Sequence, residues 1–324
     1  MSDVRPAPAG RPLRVAVIGV GHLGRHHARL LAGTPGIDLV AVVDTAPGRA
    51  AEIASQHGGE AFEDWRDVRG RVDAVTIAVP TESHADIAVG CIEAGAAVLV
   101  EKPLASSVAD ATRIVDAAAR HGVICAAGHS ERFNPAVAAA LPHVKDPRFI
   151  EVHRLGAFPD RGLDVDVIFD LMIHDLDLLL ATVGSDVVDI EAVGVNVLTP
   201  KTDIANARLR FASGCIANLT ASRISRDRVR KARFFQRASY VSIDFAAREV
   251  EVYRLVAGDG RPSIEGGRLT VAKDEPLRRE LDDFVQAVRE GRAPGVTAVA
   301  ARDALILATR VAEAMSAGAG AGPS

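Results

Sequence analysis

The chain has 324 residues, long enough for two domains of roughly 100–200 residues each. Its 48% hydrophobic and 25% charged residues are ordinary for a globular protein. The net charge of −4 favours neither nucleic acid nor an anionic membrane as a partner. No apolar run reaches the roughly 18 residues of a membrane span and no secretory h-region opens the chain, so a cytoplasmic protein is expected. Cys91, Cys125 and Cys215 are odd in number, widely spaced and form no CxxC pair, which reads as reduced, buried thiols. Residues 1–10 and 317–324, rich in Pro or Gly with Ala, read as flexible tails.

Short apolar runs alternate with longer helical stretches over the first ~130 residues, the sign of a parallel α/β sheet. Arg14–Ile18 is a near-continuous apolar run, as a strand buried on both faces requires. A helix over His22–Ala32, a strand over Leu39–Val43 and a helix over Pro47–His57 follow, with Pro near the start and Gly58 after the end of the latter. Strands over Ala74–Val79, Val98–Val100 and Val123–Ala127 alternate with helices over Ser83–Ala94 and Val108–Arg120, each stopped by a glycine.

Beyond about residue 148 the pattern changes. Phe149–Leu155 reads as a strand and Val165–Val183 as one long helix. In Ile204–Phe211, Ala205, Ala207, Leu209 and Phe211 share one face, while Asn206, Arg208 and Arg210 share the other. Cys215–Ser222, Val229–Gln236, Tyr240–Phe245 and Glu249–Leu255 continue the strand series, which indicates an antiparallel sheet with one polar face. Helices over Pro276–Glu290 and about Val296–Met315 close the chain. The expected architecture is α/β, a Rossmann domain over 1–128 followed by an α+β domain with an open, mainly antiparallel sheet over 129–295.

Gly19-Val20-Gly21-His22-Leu23-Gly24 sits between the first strand and the first helix, where a dinucleotide loop belongs. Gly19 permits the tight turn, Gly21 lets the backbone approach a pyrophosphate, and Gly24 allows close helix packing. The helix amino terminus offers free N–H groups to the phosphates. Asp44 ends the second strand, 20 residues beyond Gly24, placed to hydrogen-bond the ribose hydroxyls. A carboxylate there repels a 2′-phosphate, so NAD is expected over NADP, although Arg49 lies close by.

Three later places carry polar residues that a sheet scaffold does not need. Pro80, Thr81, Ser83 and His84 follow the third strand at the ligand edge of the sheet, with Ser83 a candidate helix cap and His84 either a site residue or a surface one. Glu101-Lys102-Pro103 follows the fourth strand; proline holds Lys102 extended near that edge, in reach of a nicotinamide or a substrate hydroxyl. Asp170 and His174, at i and i+4, share a helix face with Asp177. A histidine beside a carboxylate suits proton abstraction near neutral pH. The same spacing suits a zinc pair, but no Cys or further His lies near in sequence, so no metal is expected.

These pieces in this order resemble the Gfo/Idh/MocA family of sugar and cyclitol dehydrogenases: GVGHLG, Asp44, AVPTESHADIA, EKP and the Asp170–His174 pair. The resemblance implies Lys102, Asp170 and His174 as a catalytic trio. It also implies oligomer contacts, dimer or tetramer, through the open sheet, and a last helix over 296–316 packed back on the cofactor domain. GHSERFNP (128–135) and VRKARFFQRASYVSID (229–244) look like the branch acting on UDP-N-acetylglucosamine, while FDLMIHDLD also looks like inositol dehydrogenases. Arg132 and Asn134 then face the substrate, and an arginine fork suits a diphosphate. Where many members carry a GGG stretch before the catalytic helix, this chain has Arg161-Gly162-Leu163-Asp164-Val165.

The resemblance therefore implies an NAD-dependent oxidation of a small-molecule substrate, the 3-hydroxyl of UDP-N-acetylglucosamine. His174 removes the hydroxyl proton, Lys102 steadies the oxygen, Asp170 orients the pair, and the hydride passes to the nicotinamide. Alternatives are an inositol or free-sugar dehydrogenase and, in another class, a non-catalytic NAD-binding regulator.

Overall fold

The computed structural model describes residues 10–158, 165–258 and 261–319. All but Val165 of the Arg161–Val165 stretch, most of the first expected tail and residues 320–324 lie outside that set. The chain divides into two compact units, 1–130 with 275–303 and 131–274 with 304–324.

The first unit holds a six-stranded parallel sheet. Its strands are β1 (Leu13–Ile18), β2 (Ile37–Val43), β3 (Glu60–Phe62), β4 (Ala74–Ile77), β5 (Ala97–Glu101) and β6 (Cys125–Gly128), in the order β3-β2-β1-β4-β5-β6. That is the doubly wound dinucleotide-binding order, whose ligand crevice lies where the chain reverses direction between β1 and β4. The central strands are continuous apolar runs because both faces are covered: Val15, Ala16, Val17 and Val75 are wholly buried. The covering helices are α1 (Gly24–Ala32), α2 (Arg49–His57), α3 (His84–Glu93) and α4 (Val108–His121).

A further helix belongs to this unit. The apolar face of α7 (Pro276–Glu290), with Leu281, Phe284, Val285 and Val288, sinks into the same core as Leu13, Leu31 and Val42. Val296 then lies at the edge of the sheet, where its carbonyl accepts from the Ala127 N–H at 3.1 Å. The expected boundary at residue 295 is thus displaced. The chain returns to the first unit with α7, and α8 (Ala298–Ala319) belongs with the second unit from Ala304 onward. The helix also runs through residues 317–319, read from sequence as tail.

The second unit is built on an eight-stranded sheet in the order β14-β13-β12-β11-β7-β10-β9-β8. Its strands are β7 (Phe149–Leu155), β8 (Val187–Val195), β9 (Ile204–Phe211), β10 (Ile216–Ser222), β11 (Val229–Gln236), β12 (Ser239–Asp244), β13 (Glu249–Val256) and β14 (Ser263–Arg268). Every pair is antiparallel except β7 with β10. The alternation read from sequence holds: Ala205, Ala207, Leu209 and Phe211 are all buried. On the opposite face Phe149, Phe235, Tyr240 and Tyr253 form a row across β7, β11, β12 and β13, with ring centroids 5.3–6.4 Å apart. α5 (Pro135–Ala140) packs on β12 and β13, and α6 (Ile173–Val183) meets β7 through the Arg154–Asp175 pair. The three cysteines are free and buried, and burial pushes the Cys91 and Cys125 thiols up to about 12. Among the described residues no helix is long and apolar enough to cross a membrane.

Candidate active site

The turn from β1 into α1 borders a cavity of about 640 Å³. Gly19 holds φ +82°, and a Cβ there would meet the Ala78 carbonyl at 2.7 Å, so the fold itself demands glycine. A Cβ on Gly24 would collide with the Gly19 carbonyl, so that glycine too is required by packing. Gly21 differs: nothing lies within 4 Å of its Cβ position, and it lines the cavity. Gly21 is therefore not required by the protein's own packing, and its position would allow close approach of a pyrophosphate.

Asp44 stands opposite. Its carboxylate accepts from the Val20 N–H at 2.9 Å and the Ala46 N–H at 2.8 Å, with an Arg49 guanidinium nitrogen 3.4 Å away. His22, Leu23 and Pro80 complete the expected lining, and Arg49 and Trp65 are lining residues that the motif alone does not mark. These residues fit a dinucleotide: an amide-rich loop for phosphates and a fixed carboxylate for ribose hydroxyls. Gly24, Thr81, His84, Glu101 and Lys102 do not border this cavity.

His84 is buried, not a surface residue, and its ring lies 3.0 Å from both the Val79 and Pro103 carbonyls. Burial lowers its pKa despite those two carbonyls, so the neutral ring is favoured. The ring lies between the loops after β4 and β5, and in its neutral form it donates to one of the two carbonyls at a time. Ser83 makes no capping bond; a 3₁₀ turn over Thr81–Ser83 leads straight into α3.

Lys102 is half-buried, and the Lys102–Pro103 peptide is cis. Beneath it Glu101 is buried, with the His27 Nε2 3.0 Å from one oxygen and the Lys102 N–H donating to the other at 3.2 Å. A Cβ on Gly128 would stand 2.7 Å from that second oxygen, so glycine makes room for the carboxylate. Glu280 of α7 is also buried, and burial, then repulsion from Glu101 and Asp283, raise its pKa well above the carboxylate range.

In the second unit the expected single helix is two. A π-helical turn over Ile168–Met172 carries Asp170, and α6 begins at Ile173 with His174 as its second residue. The i, i+4 spacing is therefore spanned by a π turn and the start of an α-helix rather than by one unbroken α-helix. Single π turns of this kind recur at functional sites. Both side chains are half-buried.

Asp177 is buried, with Arg132 Nη1 3.5 Å away. Burial pushes its carboxyl up to about 6, with Arg132 opposing. Next to His174, Asp175 pairs bidentately with Arg154 at 2.7 and 2.8 Å, and Glu131 lies 3.4 Å from the same guanidinium. Burial works to discharge Arg154, but the two carboxylates more than offset it and hold it charged.

Asn134 departs from expectation. It is 2% exposed, its carbonyl accepts from the Ala136 N–H at 3.0 Å, and its amide donates to the Phe245 carbonyl at 3.3 Å. Those bonds make it the cap of α5 rather than a substrate contact.

Two family models cover the two units. Residues 13–129 match the oxidoreductase family with an NAD-binding Rossmann fold, and residues 144–238 match the Gfo/Idh/MocA C-terminal domain. The chain belongs to the Gfo/Idh/MocA family of oxidoreductases. Among family members, a UDP-N-acetylglucosamine 3-dehydrogenase from Acidithiobacillus ferrooxidans is 38% identical over 94% of this chain and 98% of its own. Its solved structure superposes with a TM-score of 0.88, again over 94% and 98% of the two chains. An NAD⁺-linked scyllo-inositol 2-dehydrogenase from Bacillus subtilis is 31% identical over 66% of this chain and 68% of its own. Levoglucosan dehydrogenase, solved with NADH and levoglucosan, shares the fold at 20% identity, with a TM-score of 0.85 over 94% of this chain and 98% of that one.

Proposed function

We propose that this protein oxidises a secondary alcohol of a nucleotide sugar with NAD, and that the substrate is UDP-N-acetylglucosamine, oxidised at its 3-hydroxyl. The observation that carries this reading is the likeness, end to end, to an enzyme of that name. NAD is preferred over NADP because the Asp44 carboxylate opposes a 2′-phosphate, and Arg49, the cation such a phosphate would recruit, already lies beside it. Bound in the cavity, the cofactor would supply the hydride acceptor.

The chain's own residues do the rest. Gly19, Gly21, His22 and Leu23 would hold the pyrophosphate, with Gly24 letting the helix pack close behind the loop. Pro80, Thr81 and Glu101, with His84 between the loops, shape the nicotinamide end. His174 takes the hydroxyl proton, Asp170 orients it, and Lys102 hydrogen-bonds the reacting oxygen; positioned acid–base help of this kind gives about 10²–10⁴-fold. Arg132 steadies the sugar, and the aromatic row on the open sheet joins copies into a cytoplasmic dimer or tetramer.

Lys102→Met and His174→Asn should each keep NAD binding and lose at least about 100-fold in turnover. Full activity in either variant refutes the assignment. The likeness to the scyllo-inositol enzyme favours a second reading, an inositol dehydrogenase, under which inositols and not the nucleotide sugar would reduce NAD.

A further inference from the structure

The second unit holds a cavity of about 570 Å³ lined by Gly156, Ala157 and Phe158 after β7, by Arg228 and Arg230 at the start of β11, and by Ala246 after β12. Its size is that of a small-ligand site. Arg230 lies in β11 and Arg228 immediately precedes that strand, and both line this cavity. Arg230 pairs in register with Arg154, which places it on the sheet face that carries the Arg154–Asp175 pair beside His174.

The four cations are not equivalent. Arg154 is buried and fully committed to Asp175 and Glu131. Arg132 lies against Asp177. Arg228 and Arg230 are exposed at the cavity, and among the described residues no carboxylate lines it and neither arginine forms an ion pair. Two guanidinium forks with no ion-pair partner among the described residues, beside one another in a concave site, suit a multiply charged oxyanion. Phe158 adds an aromatic ring, 44% exposed, at the same cavity. Solvent-exposed aromatic rings of this kind offer a face on which a nucleobase stacks.

We propose that this cavity is the nucleoside diphosphate subsite, with Arg228 and Arg230 binding the diphosphate and Phe158 stacking on the base. The proposal deepens the nucleotide-sugar reading and rests on it. It moves the diphosphate contact from Arg132, where sequence put it, to a pair of arginines that line this cavity.

The test is calorimetric titration of the full-length protein, with NADH present, using UDP, inorganic pyrophosphate and uridine as probes. Wild type is expected to bind UDP more tightly than either fragment. Arg228→Ala/Arg230→Ala is expected to weaken UDP and pyrophosphate by roughly 30-fold or more, with NADH affinity and melting temperature unchanged. Phe158→Ala is expected to weaken UDP and uridine by about 5–10-fold and to spare pyrophosphate. If wild type binds UDP and the double-arginine variant binds it equally, the subsite is wrong while the nucleotide-sugar reading stands. If wild type shows no UDP binding, both fall together.

Discussion

Gly21 separates what the fold needs from what a ligand needs. In Gly21→Val the new side chain meets no heavy atom within 4 Å of its Cβ, and the backbone there is not left-handed. The variant should therefore fold with a melting temperature within about 2 °C of wild type. The added methyls stand in the cavity, where a pyrophosphate would accept hydrogen bonds from the loop. Charge-assisted bonds are worth about 1.5–3 kcal/mol each, so losing two costs roughly 3–6 kcal/mol, or more than about 100-fold in affinity. Gly19→Val should behave oppositely: φ +82° and the Ala78 carbonyl at 2.7 Å predict a protein destabilised before any ligand is added. NAD binding followed by fluorescence, with thermal unfolding of the free proteins, measures both effects. An NAD affinity for Gly21→Val within about 3-fold of wild type refutes the assignment of this loop to the pyrophosphate.

Other outcomes follow from the buried charges. Arg154→Leu strands Asp175, 2% exposed, without its cation, and should cost about 3–5 kcal/mol in urea unfolding. Asp175→Leu in the same chain should recover much of it, and a loss below about 1 kcal/mol for the single variant contradicts the pairing. Asp177 has a folded pKa of about 6 against an ordinary 3.8, so its contribution to stability is full below about pH 4 and is lost as pH rises through 6. Asp177→Asn should flatten that fall, gaining up to about 3 kcal/mol on wild type at pH 7.5 relative to pH 4; parallel pH profiles for the two proteins would contradict it. His84→Ala removes the buried ring packed between the Val79 and Pro103 carbonyls and should lower turnover more than it weakens NAD, because that ring fills the space beside the Lys102 backbone; unchanged turnover refutes that role.

The strands of both sheets were largely legible because burial leaves a period. β7, β9 and β11 match the sequence reading residue for residue. Three strands escaped it for separate reasons. β3 is three residues long, too short to show alternation. β8 lies at a sheet edge with Val188, Val193 and Val195 exposed, so no buried face marks it. β14 contains Gly266 and Gly267, which propensity places in a turn.

The glycine loop was legible for the opposite reason, since Gly19 and Gly24 are fixed by local geometry. The π turn at Asp170 leaves no trace in spacing, and neither does the burial of His84 or the capping of Asn134, which depend on partners as far away as Phe245. The return of α7 to the first unit was hidden likewise. Its amphipathic face says that it packs, not against what.

The most direct test is to give the purified protein NAD⁺ with UDP-N-acetylglucosamine, free N-acetylglucosamine or myo-inositol and to follow NADH formation while identifying the product. The account predicts turnover with the nucleotide sugar, a 3-keto product and little reaction with the other two. NADH formation from inositol alone, or from none of the three, would contradict it.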